Sequence, residues 1–230
     1  LSYNMLLKYK NIPIFYSPFM SYPLTDKRQS GILTPSFGSS GDSGTALSIP
    51  YYLNLAENYD ATVEVTSLSD RGVLFDNEFR YLGQGRTRSL INFAYLENDD
   101  EYGDDRYIYK IDDNRTLHNT LVSSSNGLIG SIINSDISYN RVSDRDYFND
   151  FGNSLSTVSQ SSVKREFRLF GETYTDKNIY SYELSALSYQ PSTTGVAEQY
   201  ETIPSFKINY KNKNSSDFNY NIKASIDKFE

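Results

Sequence analysis

Along much of the chain apolar and polar residues alternate one by one. Residues 59–66 show it most cleanly, with Tyr59, Ala61, Val63 and Val65 on one side and Asp60, Thr62, Glu64 and Thr66 on the other. Successive side chains of a strand point to opposite faces, so this period predicts a β-strand with one apolar and one wet face. After Ser69-Asp70-Arg71-Gly72, a turn by composition, the alternation resumes with Val73, Phe75, Phe79 and Tyr81 opposed by Asp76, Glu78 and Arg80. The two runs therefore form a hairpin. Gly83-Gln84-Gly85-Arg86 predicts the next turn, and Ser89, Ile91, Phe93 and Tyr95 mark the apolar face of another strand. The acidic run from Glu97 to Asp105 cannot bury a core and reads as a solvated loop. Further strands are predicted over 116–123, 128–141, 158–175, 178–190, 200–210 and 218–229. An Asn-Gly turn at Ser124-Ser125-Asn126-Gly127 and turns at Asp176-Lys177-Asn178 and 212–216 separate them. About ten barrel-type strands thus follow residue 43.

The opening segment differs. Pro13, Pro18, Pro23 and Pro35 interrupt it at short intervals, which suits edges and bends rather than sheet interiors. Residues 1–35 are read as the exit from one domain and 36–230 as a second, with the Gly/Ser-rich stretch 36–45 as a linker or first turn. Strand length then separates two solutions for a two-faced meander. Soluble strands usually run to ~5–6 residues, whereas 128–141, 158–175 and 178–190 are long enough for a tilted crossing of a bilayer. Around Ser135–Tyr139 only Ile133 and Ile137 carry an apolar face, which fits a water-filled lumen better than a tight core. The fold class is therefore all-β, an antiparallel meander of long strands forming part of a large outer-membrane β-barrel. A secreted soluble β-sandwich and a general porin-like barrel are the alternatives. No run approaches the ~20 apolar residues of a transmembrane helix, and any targeting signal is expected upstream of Leu1.

Composition narrows function more than fold. With 21 Tyr and 13 Phe but no Trp, the chain is weighted toward the amphipathic aromatic that suits membrane interfaces. A net charge of -7, with no Lys/Arg run, speaks against nucleic acid as a partner. The absence of Cys removes disulfides and thiolate metal sites from this segment. His118, the single histidine, sits in Thr116-Leu117-His118-Asn119-Thr120 as a wall or lumen side chain. No serine occupies a Gly-x-Ser-x-Gly elbow, and the neighbours Asp99 and Asp100 lie in a loop with nothing to hold them at a working separation. Calcium in that loop is disfavoured because the alternating ligand pattern of an EF-hand is missing. No catalytic, cofactor or metal residue is assigned, and the chain is not read as an enzyme.

Five segments carry a more specific signal. They are Pro13-Ile14-Phe15-Tyr16-Ser17-Pro18-Phe19, then the run from Asp26 through Gly31 to Pro35, then the run from Pro50-Tyr51-Tyr52-Leu53-Asn54 to Asp60-Ala61-Thr62. Next come Arg71-Gly72 with Asn77-Glu78-Phe79-Arg80-Tyr81-Leu82, and Val142-Ser143-Asp144 with Tyr147-Phe148-Asn149-Asp150-Phe151. In order and spacing these resemble the LptD family, the outer-membrane component that delivers lipopolysaccharide to the cell surface. The resemblance implies that residues 1–35 are the end of a periplasmic β-jellyroll and 36–230 the first strands of a very large barrel, left incomplete. It implies lipopolysaccharide as cargo, a plug lipoprotein of the LptE type and a periplasmic bridge protein of the LptA type as partners, and a lateral gate between the first and last strands. Pro50, at the start of the first strand, with Tyr51, Tyr52 and Asn54 would then line the gate or lipid passage. The family also places prolines where this chain has Glu57 and Val65, so gate weakness rests on Pro50 with Gly41 and Gly44. Gly31, Pro35, Asp60, Arg71, Gly72, Glu78, Phe79, Arg80, Tyr81 and Tyr147 through Phe151 are expected to serve structure. Strand parity from a periplasmic entry puts 97–114 and 143–157 on the periplasmic side, where turns are usually short.

Overall fold

Because neighbouring runs alternate in the same phase, each can pair with the one before it, and the computed structural model shows this pairing throughout. The structure describes residues 2–9, 11–20, 28–41, 43–125, 127–151, 162–192, 201–212 and 221–229. Strands β1 (Ser2–Tyr9) and β2 (Ile12–Met20) form a two-stranded antiparallel sheet of their own. A 13-stranded sheet contains β3 (Gly31–Ile32), β4 (Ser36–Ser40), β5 (Gly44–Asn54), β6 (Tyr59–Leu68), β7 (Gly72–Leu82), β8 (Arg88–Leu96) and β9 (Arg106–Asn119). It continues through β10 (Val122–Ser124), β11 (Gly127–Val142), β12 (Ser162–Tyr174), β13 (Asn178–Pro191), β14 (Thr202–Asn212) and β15 (Asn221–Phe229). The order follows the chain, with β3 and β4 sharing one edge of β5 and β10 folded onto β11. Every pairing is antiparallel and the sheet is open rather than closed on itself.

Register assigns the two faces. Ala61, Phe79, Ile91, Ile111 and Tyr139 stand directly opposite one another across β6, β7, β8, β9 and β11, so they share the outer face. The parallel row Val65, Phe75, Tyr95 and Tyr107 lies two same-face steps nearer the rim formed by turn 69–71 and loop 97–105. On the opposite face, Thr62, Glu78, Asn92, Lys110 and Asn140 form a polar row. The outer face stays uncovered by protein: Ile49, Phe75, Ile91, Phe167 and Phe206 are all exposed. Its apolar side chains are the ones an aqueous fold would hide.

The buried core sits at one rim and is not spread through the sheet. Leu68, Leu74, Ala94, Leu96, Ile108, Val142 and Val163 pack with Tyr147, Phe148 and Phe151 of a short helix, α1 (Tyr147–Phe151). At the same rim the β4–β5 hairpin meets the β6–β7 turn, where Gly44 has φ +67° and a Cβ there would run into the side chains of Ser69 and Asp70.

Four sequence expectations are corrected. The acidic run 97–105 is the expected loop, but residues 106–114, counted with it as one long connection, are strand: Tyr107, Tyr109 and Ile111 face outward, and Asp113 is satisfied by Ser89 and Arg115, Asp112 by Ser138. The segment expected as one strand over 116–123 is instead the end of β9 and the separate β10. Of the two readings of 36–45, the turn is confined to the residues between β4 and β5, and the Gly/Ser-rich flank is itself a strand. Pro50 is not at a strand start but well inside β5, facing Glu64 of β6. Pro23, Asp26, Lys27, Asn126, 158–161, Tyr200 and 213–220, on which other expectations fell, lie outside the described residues.

Candidate functional site

Three clusters gather the residues that the sequence singled out. The first lies at the turn between β5 and β6. Asp60, buried at the start of β6, accepts hydrogen bonds from Arg28 Nη1 (2.8 Å), Arg80 Nε (2.7 Å) and the Tyr52 hydroxyl (3.0 Å). Arg28 also donates to the Glu57 carbonyl, Asn54 N donates to Ser30 Oγ (2.8 Å), and Asn54 Nδ2 to the Arg28 carbonyl (3.0 Å). Glu78 lies 3.3 Å from Arg80 Nη1. The effect is to strap residues 28–33 along β5. Replacing Asp60 by alanine removes the common acceptor of three donors, and local destabilisation of about 1–3 kcal/mol is expected. Hydrogen exchange on the full-length parent should then rise over 28–33 and 52–60 together; a rise in only one of them would show that the strap is held otherwise.

The second cluster is the strap's own seam. Gly31 and Ile32 pair with Tyr52 and Tyr51, Leu33 N donates to the Pro50 carbonyl (2.9 Å), and pairing resumes at Ser36 with Ser48. The register slips by one residue at 33–35, so Pro35 and Pro50 flank the interruption, and neither supplies an N–H. Pro50, Tyr51, Tyr52 and Asn54 therefore lie one strand in from the sheet edge. Tyr51 points to the exposed outer face, whereas Tyr52 turns inward to Asp60. β5 and β6, by contrast, pair without interruption from Ala46–Leu68 to Asn54–Asp60.

The third cluster holds α1. Asp99 Oδ2 accepts from Arg71 Nη1 (2.8 Å) and Arg106 Nη1 (3.3 Å), while Asp99 Oδ1 accepts from the backbone N–H groups of Glu101 (3.0 Å) and Tyr102 (3.3 Å). Asp150 Oδ2, on α1, accepts from Arg106 Nη1 (2.9 Å) and lies 3.3 Å from Arg71 Nη1. Arg106 also grips Asp144 through Nη2 (3.0 Å) and Nε (2.6 Å). Asp99 and Arg106 are 0% exposed, so the expected solvated acid is in fact a buried partner of two arginines. Burial opposes the Arg71 charge, but Asp99, Asp150 and Glu101 outweigh it and hold its pKa above the ordinary value. The aromatic rings of α1 complete the cage, with Phe151 5.2 Å from the Arg106 guanidinium carbon and 5.3 Å from that of Arg71. Burial pushes the Tyr147 phenol up. Asn149 starts no side-chain contact in this cage; its N–H caps onto the Asp146 carbonyl (3.0 Å).

Arg71, Tyr147, Phe148, Asp150 and Phe151 are thus brought together from motifs far apart in the chain. Phe79 and Tyr81 go instead to the outer face, Phe79 packing 6.2 Å from Tyr59 between ring centroids. Sequence reasoning missed Arg106 altogether, took Asp99 for a solvated loop acid, and carried Arg28 and Asp144 within family-like segments without giving them a role, since each of the four has a partner far away in the chain.

The sequence model of the family described as LPS transport system D matches residues 104–230. A protein of Pseudomonas aeruginosa (strain LESB58) named LPS-assembly protein LptD is 37% identical over 210 residues, covering 87% of this chain and 21% of its own length. The Nitrosomonas eutropha protein of the same name is 38% identical over 160 residues, 70% of this chain and 20% of its own. That of Sodalis glossinidius is 32% identical over 230 residues, 99% of this chain and 28% of its own. The chain spans between a fifth and just over a quarter of the length of these relatives.

Proposed function

Because the chain belongs to the LptD family, we propose that it forms the opening wall of an outer-membrane translocon that inserts lipopolysaccharide into the outer leaflet. The observation that carries this reading is the two-faced open sheet, with an uncovered apolar outer face and a polar inner one. Lipopolysaccharide has acyl chains that avoid water and sugars that avoid hydrocarbon, so its passage needs two connected surfaces. The inner wall passes the sugars, and a lateral opening releases the lipid. Residues 1–35 are the end of the periplasmic jellyroll and 36–230 the barrel wall, with a lipoprotein of the LptE type filling the lumen and a bridge protein of the LptA type delivering cargo from the periplasm.

Sidedness follows from β4. Counting strands without it places the loops after β8 and β11 in the periplasm; counting it as the first upward strand moves them to the cell surface, where long loops are the rule. The short turns 55–58 and 83–87 then face the periplasm. The interrupted pairing at Pro35 and Pro50 makes the strap on β5 the weak seam on this side of the opening.

The test is photocrosslinking in cells, from Tyr51, Tyr52 and Asn54 of the full-length parent, followed by probing for lipopolysaccharide adducts. Adducts that require an energised export pathway are expected. None at these positions, with adducts elsewhere on the barrel, would remove β5 from the route.

A further inference from the structure

The outer face is apolar over its middle, and toward the loop-side rim it carries tyrosines: Tyr95, Tyr107, Tyr109 and Tyr139. Two arginines interrupt this girdle. Arg141 stands opposite Tyr109, and Arg165 opposite Tyr139, so both belong to the outer face on the adjacent strands β11 and β12. Arg141 is exposed, its guanidinium carbon 5.9 Å from the Tyr107 ring centroid, and among the described residues it has no carboxylate partner. Arg165 is aimed by Nε to the Asn140 carbonyl (3.1 Å) and Nη2 to Gln190 Oε1 (2.6 Å), with its guanidinium carbon 5.5 Å from the Tyr139 ring centroid. It too lacks a carboxylate among the described residues.

Several acids near this rim are already engaged. Asp105 accepts from the Tyr95 hydroxyl (2.8 Å) and Asn98 N (2.8 Å), bonds that hold its carboxyl below the usual range. Asp144 is held by Arg106, and Glu166 by Lys164 (2.7 Å) on the opposite face. Guanidinium groups left uncompensated at the edge of a hydrocarbon-facing surface need an anion at that depth. Arg141 is the last residue but one of β11 and Arg165 lies three residues into β12, so both stand at the strand ends beside the 143–161 connection, where a lipid headgroup would lie, and the chemistry matching a fork of N–H donors is phosphate.

We infer that Arg141 and Arg165, flanked by Tyr107 and Tyr139, form a binding site on the outside of the wall for the phosphate of a glycolipid headgroup, whose acyl chains lie along the apolar rows below. The site is remote from β5 in the sheet order, so it holds lipid already in the leaflet rather than lipid in passage. The leaflet assignment rests on the proposed sidedness; the phosphate site itself does not.

The test uses the full-length parent purified in dodecyl maltoside, incubated with bisphosphorylated lipid A or with lipid A stripped of phosphate, and native mass spectrometry to count retained lipid. The wild type should retain the phosphorylated lipid about tenfold better than the stripped one, and Arg141→Gln with Arg165→Gln should erase that preference. The corresponding Lys pair should keep part of it, because charge survives while the fork is lost. If the double Gln variant does not insert, Arg141→Gln alone, whose side chain makes no hydrogen bond or ion pair among the described residues, should lower the preference in the same direction. Equal retention of both lipids, or an unchanged preference in the Gln variants, overturns the site. Separately, an Asp104→Cys variant labelled on intact cells by an impermeant maleimide reports sidedness, so failure of the label strikes the orientation while the micelle result still decides the site.

Discussion

Ile91→Arg in the full-length parent should destabilise the folded barrel by about 2–4 kcal/mol, with a smaller loss for Tyr95→Arg nearer the rim. Ile91 lies between Phe79 and Ile111 on the outer face and is 40% exposed as the sheet stands. In water an arginine at such a site would cost little, because the guanidinium keeps its hydration. Against hydrocarbon it loses that hydration with no partner in reach. Thr62→Arg is the control: Thr62 faces inward beside Glu78, so the new charge meets a wet wall and an acid, and a change within about 1 kcal/mol is expected. Urea midpoints in lipid vesicles, followed by circular dichroism, read the comparison. Equal costs at Ile91 and Thr62 would mean that the apolar face does not meet lipid.

The second large effect concerns the cage around α1. Arg106→Met should cost about 3–5 kcal/mol, since it removes the ion-pair partner of Asp144 and leaves the fully buried Asp99 to share Arg71 with Asp150. The loss should be local. Hydrogen exchange is expected to rise over 97–105 and 143–151 while β12 and β13 keep their protection. Arg106→Lys should not restore it, because one ammonium cannot span carboxylates on Asp99, Asp144 and Asp150 as the planar fork does. If exchange over α1 stays at the wild-type rate, the aromatic packing of Tyr147, Phe148 and Phe151 holds the helix without the ion pairs.

The strands with the clearest alternation, β6 and β7 above all, were legible from the sequence because one face is apolar apart from Asn77 and Ser67, and register leaves little choice. β9 was half hidden. Asp112, Asp113, Asn114 and Arg115 look like a loop by composition, and only cross-strand partners explain how such a run stays in a sheet: Ser138 for Asp112, Ser89 for Asp113 and Asn134 for the adjacent Thr116. β4 was hidden for the opposite reason: Ser36-Phe37-Gly38-Ser39-Ser40 carries almost no hydrophobic signal, and its pairing with β5 comes from the hairpin that closes at Gly44. The site residues divide in the same way. Arg71 and the run 147–151 stood out as motifs, but that they meet, and that Asp99 and Arg106 are what joins them, depends on distances across the sheet that no local spacing encodes.

The chain-ordered pairing of the sheet has a kinetic side. From β5 to β9, and again from β11 to β15, each strand's partner is the one that immediately precedes it. Adding a strand therefore closes only the connection to its predecessor, of which 143–161 is the longest, and the entropic toll of each closure does not grow with the size of the finished wall. A nascent wall of this kind can lengthen by one strand at a time, each new strand templated by the exposed ladder of the last. A register error would then be copied forward by every later strand, which makes the earliest uninterrupted pair, β5 with β6, the step at which accuracy matters most.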